Sequence, residues 1–262
     1  MNRHSIHALI LLAAILSSAR AEAQQPAPAI PSTGFAGLDQ YRASRIAVFT
    51  DDYGQLARYR DDDAKLVASP DPARVVFFGD SITDIWKLDQ SFPGKPYVNR
   101  GIGGQTTPQM LVRFRQDVLG LHPKVVVILA GTNDIAGNTG PMRNEDIEAN
   151  LASMAELARV HGVRVVFSSL LPVHNYTPKS QDFFAQRPMA RILQLNAWLK
   201  NYCAQNKLVY LDYFSALVDD KGLLKRDLAD DGLHPNAAGF KIMAPLAEAA
   251  IHRASSLSPG VS

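Results

Sequence analysis

Val75-Val76-Phe77-Phe78-Gly79-Asp80-Ser81 runs four apolar residues into a small residue, an acid and a hydroxyl. A short apolar run with no polar side of its own reads as a strand covered on both faces, the mark of a parallel sheet. The following Ser81-Ile82-Thr83-Asp84 can open a helix, because Ser and Thr cap N-termini and an acid suits the first turn. The Ser81 hydroxyl is then set at the rim of a sheet against free backbone N–H groups. That turn has two readings. It is a plain helix cap, or it is a hydroxyl placed for attack beside donors that would stabilise an oxyanion.

Strand and helix signals alternate along the rest of the chain. Strands are expected at 74–78, 97–99, 125–130, 163–168 and 208–212. Helices fill the gaps. At 144–160, Asn144 is the expected N-cap, with Glu145 and Asp146 in the first turn. Ile147, Leu151, Met154 and Leu157 form one stripe, and His161-Gly162 ends it. Further helices are expected at 189–206 and about 237–254. The alternation predicts an α/β fold in three layers, α/β/α, with a five-stranded parallel sheet. In such sheets the site lies beyond the carboxyl ends of the strands, which gathers the loops at 79–84, 100–107, 131–143, 169–188 and 212–236.

Composition narrows the class. The 262 residues are 47% hydrophobic and 20% charged, which suits a globular chain with a sizeable core. Asn2-Arg3-His4, the apolar stretch 8–16 and Ala21-Glu22-Ala23 read as a secretory signal peptide over 1–23, too short to span a membrane as a helix. Without it, 25 basic residues face 24 acidic ones. No basic run points to nucleic acid, and no second apolar span points to a membrane. Residues 24–37, with their run of Pro, Ala and Gln, are expected to be a disordered leader. A single domain is expected over 38–262, with a charged helical extension at about 38–70. Its Asp61-Asp62-Asp63 cluster lacks the spacing of a calcium loop and is expected to be a solvated helix face. Cys203, the only cysteine, excludes an internal disulfide and a cysteine-based zinc site. It falls with Leu195, Leu199 and Tyr202 in a helical pattern, so a buried structural thiol is expected.

Three loops carry candidate chemistry. Asn99-Arg100-Gly101-Ile102-Gly103-Gly104-Gln105-Thr106-Thr107 allows close backbone approach to a ligand, or a tight turn before a capped helix. It matches no dinucleotide or P-loop spacing. Gly131-Thr132-Asn133-Asp134 offers the Asn133 amide as an oxyanion donor, or a turn stabilised by Asn and Asp side chains. In Asp231-Gly232-Leu233-His234-Pro235-Asn236, an acid three residues ahead of a histidine can fix the ring tautomer and leave the other nitrogen as a base. Asp80 is too close in sequence to Ser81 to orient that base and reads as a turn and cap group.

These blocks, in this order, resemble the GDSL (SGNH) hydrolase family over most of the chain from about Arg74. Gly79-Asp80-Ser81-Ile82 resembles its nucleophile block, with Ile82 where the family name has leucine. Asn-x-Gly-Ile-Gly-Gly followed by Gly-Thr-Asn is most similar to platelet-activating-factor acetylhydrolase-like and lysophospholipase-like members. Gln105 stands where many relatives have an acid. The resemblance implies a flavodoxin-like SGNH hydrolase fold and an exported, periplasmic or secreted serine esterase with no cofactor and no metal. It implies Ser81, His234 and Asp231 as the triad. It implies Ser81, Gly104 and Asn133 as the oxyanion hole, the first two through backbone N–H groups. The partner expected is a small-molecule or polysaccharide acyl ester, first of all an acetylated carbohydrate. Lysophospholipids or short-chain lipid esters are the alternative. The long 170–188 segment carries His174, Tyr176, Phe183 and Phe184, which either wall a substrate site or pack the loop down. Two other classes compete: a non-catalytic carbohydrate-binding module, whose usual sign would be a lost Ser, Asn or His, and a flavodoxin-like mononucleotide binder, which the Asp231/His234 pair argues against.

Overall fold

Side-chain alternation along the first strand builds two cores at once. In the computed structural model, which describes residues 31–257, Val76 and Phe78 face one hydrophobic cluster and Val75 and Phe77 the other. All four are at most 2% exposed, so β1 (Val75–Gly79) is covered on both faces as its apolar run requires. The signal peptide expected at 1–23 and residues 24–30 of the expected leader lie outside the described residues.

Among the described residues, three helices precede the sheet: α1 (Ala36–Ser44), α2 (Ile46–Asp51) and α3 (Arg60–Ala68). After β1 come α4 (Ser81–Asp84), α5 (Leu88–Ser91), β2 (Tyr97–Gly101) and α6 (Thr107–Asp117). Then follow β3 (Val125–Leu129), α7 (Thr132–Ala136), α8 (Asn144–Val160) and β4 (Arg164–Ser168). The chain continues through α9 (Gln181–Ala185), α10 (Met189–Asn206), β5 (Val209–Leu211), α11 (Phe214–Leu217) and α12 (Ala237–Ser256). The strands pair in the order β2-β1-β3-β4-β5, all parallel. Each expected strand is present, with ends moved by one or two residues.

One face of the sheet is covered by Met110 and Phe114 of α6, Ile147, Leu151 and Met154 of α8, and Ile192, Leu195, Leu199 and Cys203 of α10. The other is covered by Ile82, Trp86 and Leu88 and by Met243, Ala247, Ala250 and Ala254 of α12. The architecture is therefore a three-layer α/β/α sandwich. Cys203 is buried and its thiol is pushed up to about 12 by desolvation, as a structural thiol requires. From β1 the chain steps to one side for β2 and to the other for β3, so strand order reverses at β1/β3. Their carboxyl ends open the crevice in which such sheets hold ligands.

Three local expectations change. Residue α1 starts at, Ala36, lies inside the stretch expected as leader, and Asp39 there accepts from Ser32 and Thr33. Asp63 is not solvated: it is buried against Arg100, 2.8 Å from its Nε, because Arg100 on β2 has no solvent route of its own. The cap of α8 is Arg143, whose backbone N–H and guanidinium both bind Asp146. Asn144 is buried instead in a bidentate contact with Arg191.

Candidate active site

Asp80 takes the cap of α4: its Oδ1 accepts the Ile82 N–H at 2.9 Å. Ser81 is thereby relieved of capping, and as the first residue of the helix its own N–H has no intrahelical acceptor. The Ser81 Oγ lies 2.8 Å from His234 Nε2. On the far side of the ring, His234 Nδ1 lies 2.7 Å from Asp231 Oδ2. The other carboxylate oxygen accepts the N–H groups of Leu233 at 3.0 Å and His234 at 2.8 Å, which locks the acid beneath the ring.

The electrostatics follow from those contacts. Partial burial alone would raise the Asp231 pKa. The hydrogen bonds from the His234 ring and from two backbone N–H groups outweigh it and hold the carboxyl well below the usual range. An ionised acid must receive the Nδ1 proton, so Nε2 is left free to accept from the Ser81 hydroxyl. A serine, imidazole and carboxylate in this line can move a proton off the hydroxyl as it attacks.

Two further donors face the same space. Gly104 has φ +77°, the left-handed region that glycine enters without penalty, and a Cβ there would run into the Tyr41 ring. Its carbonyl is held away by Tyr41 Oη at 3.2 Å and Asn138 Nδ2 at 2.9 Å. Among the described residues, no protein acceptor takes the Gly104 N–H. Asn133 is the second residue of α7 beyond β3, with its Nδ2 donating to the Gln105 carbonyl at 3.1 Å and its Oδ1 accepting from Arg187 at 3.1 Å. Arg113, buried and stacked on Phe78, donates to the Gln105 side chain at 2.6 Å and fixes that loop from behind.

A cavity of about 500 Å³ joins Ser81, Gly104, Asn133 and His234 to Leu38 and Tyr41 of α1 and to Phe183 and Arg187. Of the four residues singled out on the long loop, Phe183 lines this cavity and meets the His234 ring edge-on at 6.0 Å. His174 is fully buried. Its ring bonds the Ala229 carbonyl at 3.0 Å and its N–H the Gly232 carbonyl, which braces the loop that carries Asp231. The Tyr176 hydroxyl donates to Asp219 at 2.5 Å, and Phe184 packs on the core. Leu38, Tyr41 and Arg187 belong to no motif; Arg187-Pro188 and the charged helical stretch near 40 gave no spacing signal.

The GDSL-like Lipase/Acylhydrolase family model matches residues 77–242, from within β1 to within α12. A solved GDSL-like lipase from Bacteroides thetaiotaomicron is 36% identical, covers 78% of this chain and is itself fully covered, at a TM-score of 0.70. An acetylxylan esterase of Geobacillus stearothermophilus is 26% identical over 207 residues, 65% of this chain and 90% of its own length. The lipoprotein YqeF of Bacillus subtilis is 36% identical over 96 residues, 36% of this chain. This chain spans 40% of YqeF. The family match contains the strand end at Ser81, both loops that face it and the Asp231–His234 turn, and on that match the chain belongs to the GDSL-like lipase/acylhydrolase family.

Proposed function

We propose that the protein is an exported serine esterase that removes acetyl or other short acyl groups from carbohydrate. The observation that carries this reading is the unbroken line Asp231–His234–Ser81, with 2.7 and 2.8 Å links, opening on the cavity that Gly104 and Asn133 share. Ser81 Oγ attacks the ester carbonyl while His234 Nε2 takes its proton. The C=O becomes an oxyanion held by the N–H groups of Ser81 and Gly104 and by the Asn133 amide. His234 returns the proton to the departing alcohol oxygen as the ester C–O bond breaks. Water, giving a proton to His234, then attacks the acyl carbon; as the acyl C–Oγ bond breaks, His234 returns that proton to Ser81 Oγ and the carboxylic acid leaves.

The carbohydrate part of the reading draws on two supports. The acetylxylan esterase is a relative over most of its length. A second groove of about 550 Å³ is lined by Pro235, which follows His234 in the chain, and by Trp86 and Phe240, whose rings stack at 5.0 Å. Phe240 is partly exposed in that groove and can meet the apolar face of a sugar ring. Export rests on the signal-peptide pattern of residues 1–23, and residues 38–262 are taken as the hydrolase domain with its helical extension at about 38–70.

The test is an ester panel run with the wild type and Ser81→Ala: acetylated xylo-oligosaccharide, acetylated monosaccharide, p-nitrophenyl acetate and lysophosphatidylcholine. The expected result is acetyl release by the wild type, fastest from acetylated sugars, and none by folded Ser81→Ala. Turnover retained by Ser81→Ala, or a preference for lysophosphatidylcholine, would overturn the reading. Sugar binding without any hydrolysis would assign the chain to the non-catalytic class.

A further inference from the structure

Arg187 is a buried cation with no carboxylate in contact. It is 2% exposed, and no Asp or Glu among the described residues forms an ion pair with it. Its hydrogen-bond partners are all neutral: Thr132 Oγ1 at 3.0 Å, Asn133 Oδ1 at 3.1 Å and the Phe183 carbonyl at 3.3 Å. Burying a charge without a counter-ion is strongly unfavourable, so a position that keeps one calls for a specific account. Desolvation lowers the guanidinium to about 10, with Asp80 and Asp231 acting on it only at longer range, so it remains charged at neutral pH.

The contact with Asn133 supplies that account. Arginine only donates, so the Asn133 atom facing it is the carbonyl oxygen. The Gln105 carbonyl only accepts, so the atom facing it is the amide nitrogen. The two partners leave one orientation of the amide, with Oδ1 toward Arg187 and Nδ2 toward the Gln105 carbonyl, in the cavity that Asn133 lines together with Ser81. One Nδ2 hydrogen is engaged by Gln105 and the second is left for a ligand. A cation bonded to an amide oxygen also draws electron density from its nitrogen and strengthens the remaining N–H as a donor.

We propose that Arg187 is a positioning residue of the oxyanion hole: it holds Asn133 with Nδ2 toward the reacting carbonyl and polarises that amide as negative charge develops. The inference rests on the esterase reading of Ser81, His234 and Asn133. Because the oxyanion exists only in the transition state and the tetrahedral intermediate, the contribution of Arg187 falls on kcat and not on KM. Because it acts through Asn133, that contribution vanishes once the amide is removed.

The experiment is a double-mutant cycle on p-nitrophenyl acetate with Arg187→Met, Asn133→Ala and the double variant, each checked for a cooperative unfolding transition. Arg187→Met is expected to lower kcat about 10- to 100-fold with KM within about twofold, less than the loss of a whole oxyanion donor. The double variant is expected to be no more than about twofold slower than Asn133→Ala alone. Where Arg187→Met does not fold, Arg187→Lys takes its place in the cycle. Lysine keeps the charge but lacks the fork, so kcat is expected to fall about fivefold, again without a further loss on top of Asn133→Ala. Wild-type kcat in the Arg187 variant, losses that multiply, or a loss confined to KM would each overturn the proposal. Ser81→Ala, run beside the cycle, separates the two levels: if it is as active as the wild type, the esterase reading itself has failed, and with it the basis of the cycle.

Discussion

Replacing Asp80 with asparagine should change how the stability of the fold depends on pH. Asp80 is fully buried, its Oδ1 caps Ile82, and its Oδ2 has no hydrogen-bond partner among the described residues. Desolvation pushes its carboxyl up to about 6 from an ordinary 3.8, against the opposing pull of the Ile82 N–H, His234 and Arg187. Below about pH 4 the group is protonated in both folded and unfolded chains, and its burial carries no charge penalty. Above about pH 6 it is ionised in both, and the folded state bears the whole desolvation penalty. The stability present at low pH is therefore lost as pH rises from about 4 to 6, and the gap between the two pKa values makes that loss about 3 kcal/mol.

Asparagine keeps the cap through its own Oδ1 and does not titrate. Its Nδ2 takes the place of the unpartnered oxygen, and an unmet buried donor costs about 1–3 kcal/mol at every pH. Asp134 and Asp63 are raised in the same direction and titrate in the same window, but they are present in both proteins. Asp134 is itself raised in part by Asp80, so removing Asp80 eases its ionisation and deepens the effect in the same sense. Asp231 has the opposite sign: its stabilisation is present above about pH 4 and is lost below it, outside the window. Urea unfolding of wild type and Asp80→Asn at pH 4.5, 5.5 and 7.0 reads the difference. The wild type should lead at pH 4.5, and the variant should gain on it by about 2–3 kcal/mol by pH 7.0. A difference between the two proteins that stays constant across that range would refute the reasoning.

Two other substitutions probe the site directly. Asp231→Asn should lower kcat by about 10⁴ through the wrong imidazole tautomer. Its Oδ1 can still accept the Leu233 and His234 N–H groups, so the unfolding midpoint should move by only a few degrees. Gly104→Ala forces a Cβ into the left-handed region and into the Tyr41 ring, at about 1–2 kcal/mol for the backbone alone. Esterase turnover should fall by at least tenfold as the Gly104 N–H is displaced, and an unchanged kcat would place that N–H outside the oxyanion hole.

How much of this molecule could be read in advance depends on how far apart interacting residues lie along the chain. The strands of the sheet carry local signals, continuous apolar or β-branched runs in three of them, and all five were legible. The Asp231–His234 pair and the Asp80–Ile82 cap are also local, three and two positions apart, so their spacing alone suggested their geometry. Ser81 and His234 are 153 positions apart, and only the ordered set of blocks linked them before the fold did. His174 shows the limit within a single loop. It stands among aromatics in a long segment that reads either as a wall or as loop packing, and only the fold shows its ring bracing Ala229 across 55 positions.

Residues that act only through distant partners left no pattern. Asp63 sits in an acidic run that reads as a solvated face, and its burial follows from Arg100, 37 positions away. Leu38 and Tyr41 reach the cavity because α1, outside the family match, packs over Gly104. Arg187 is the sharpest case: a single cation before a proline carries no motif, and its partner Asn133 lies 54 positions upstream. Only its burial makes it informative, because a charge in that place must do something to remain there. The same burial makes its effect separable from a packing role, since a side chain that merely filled space would not lose its influence when the Asn133 amide was removed.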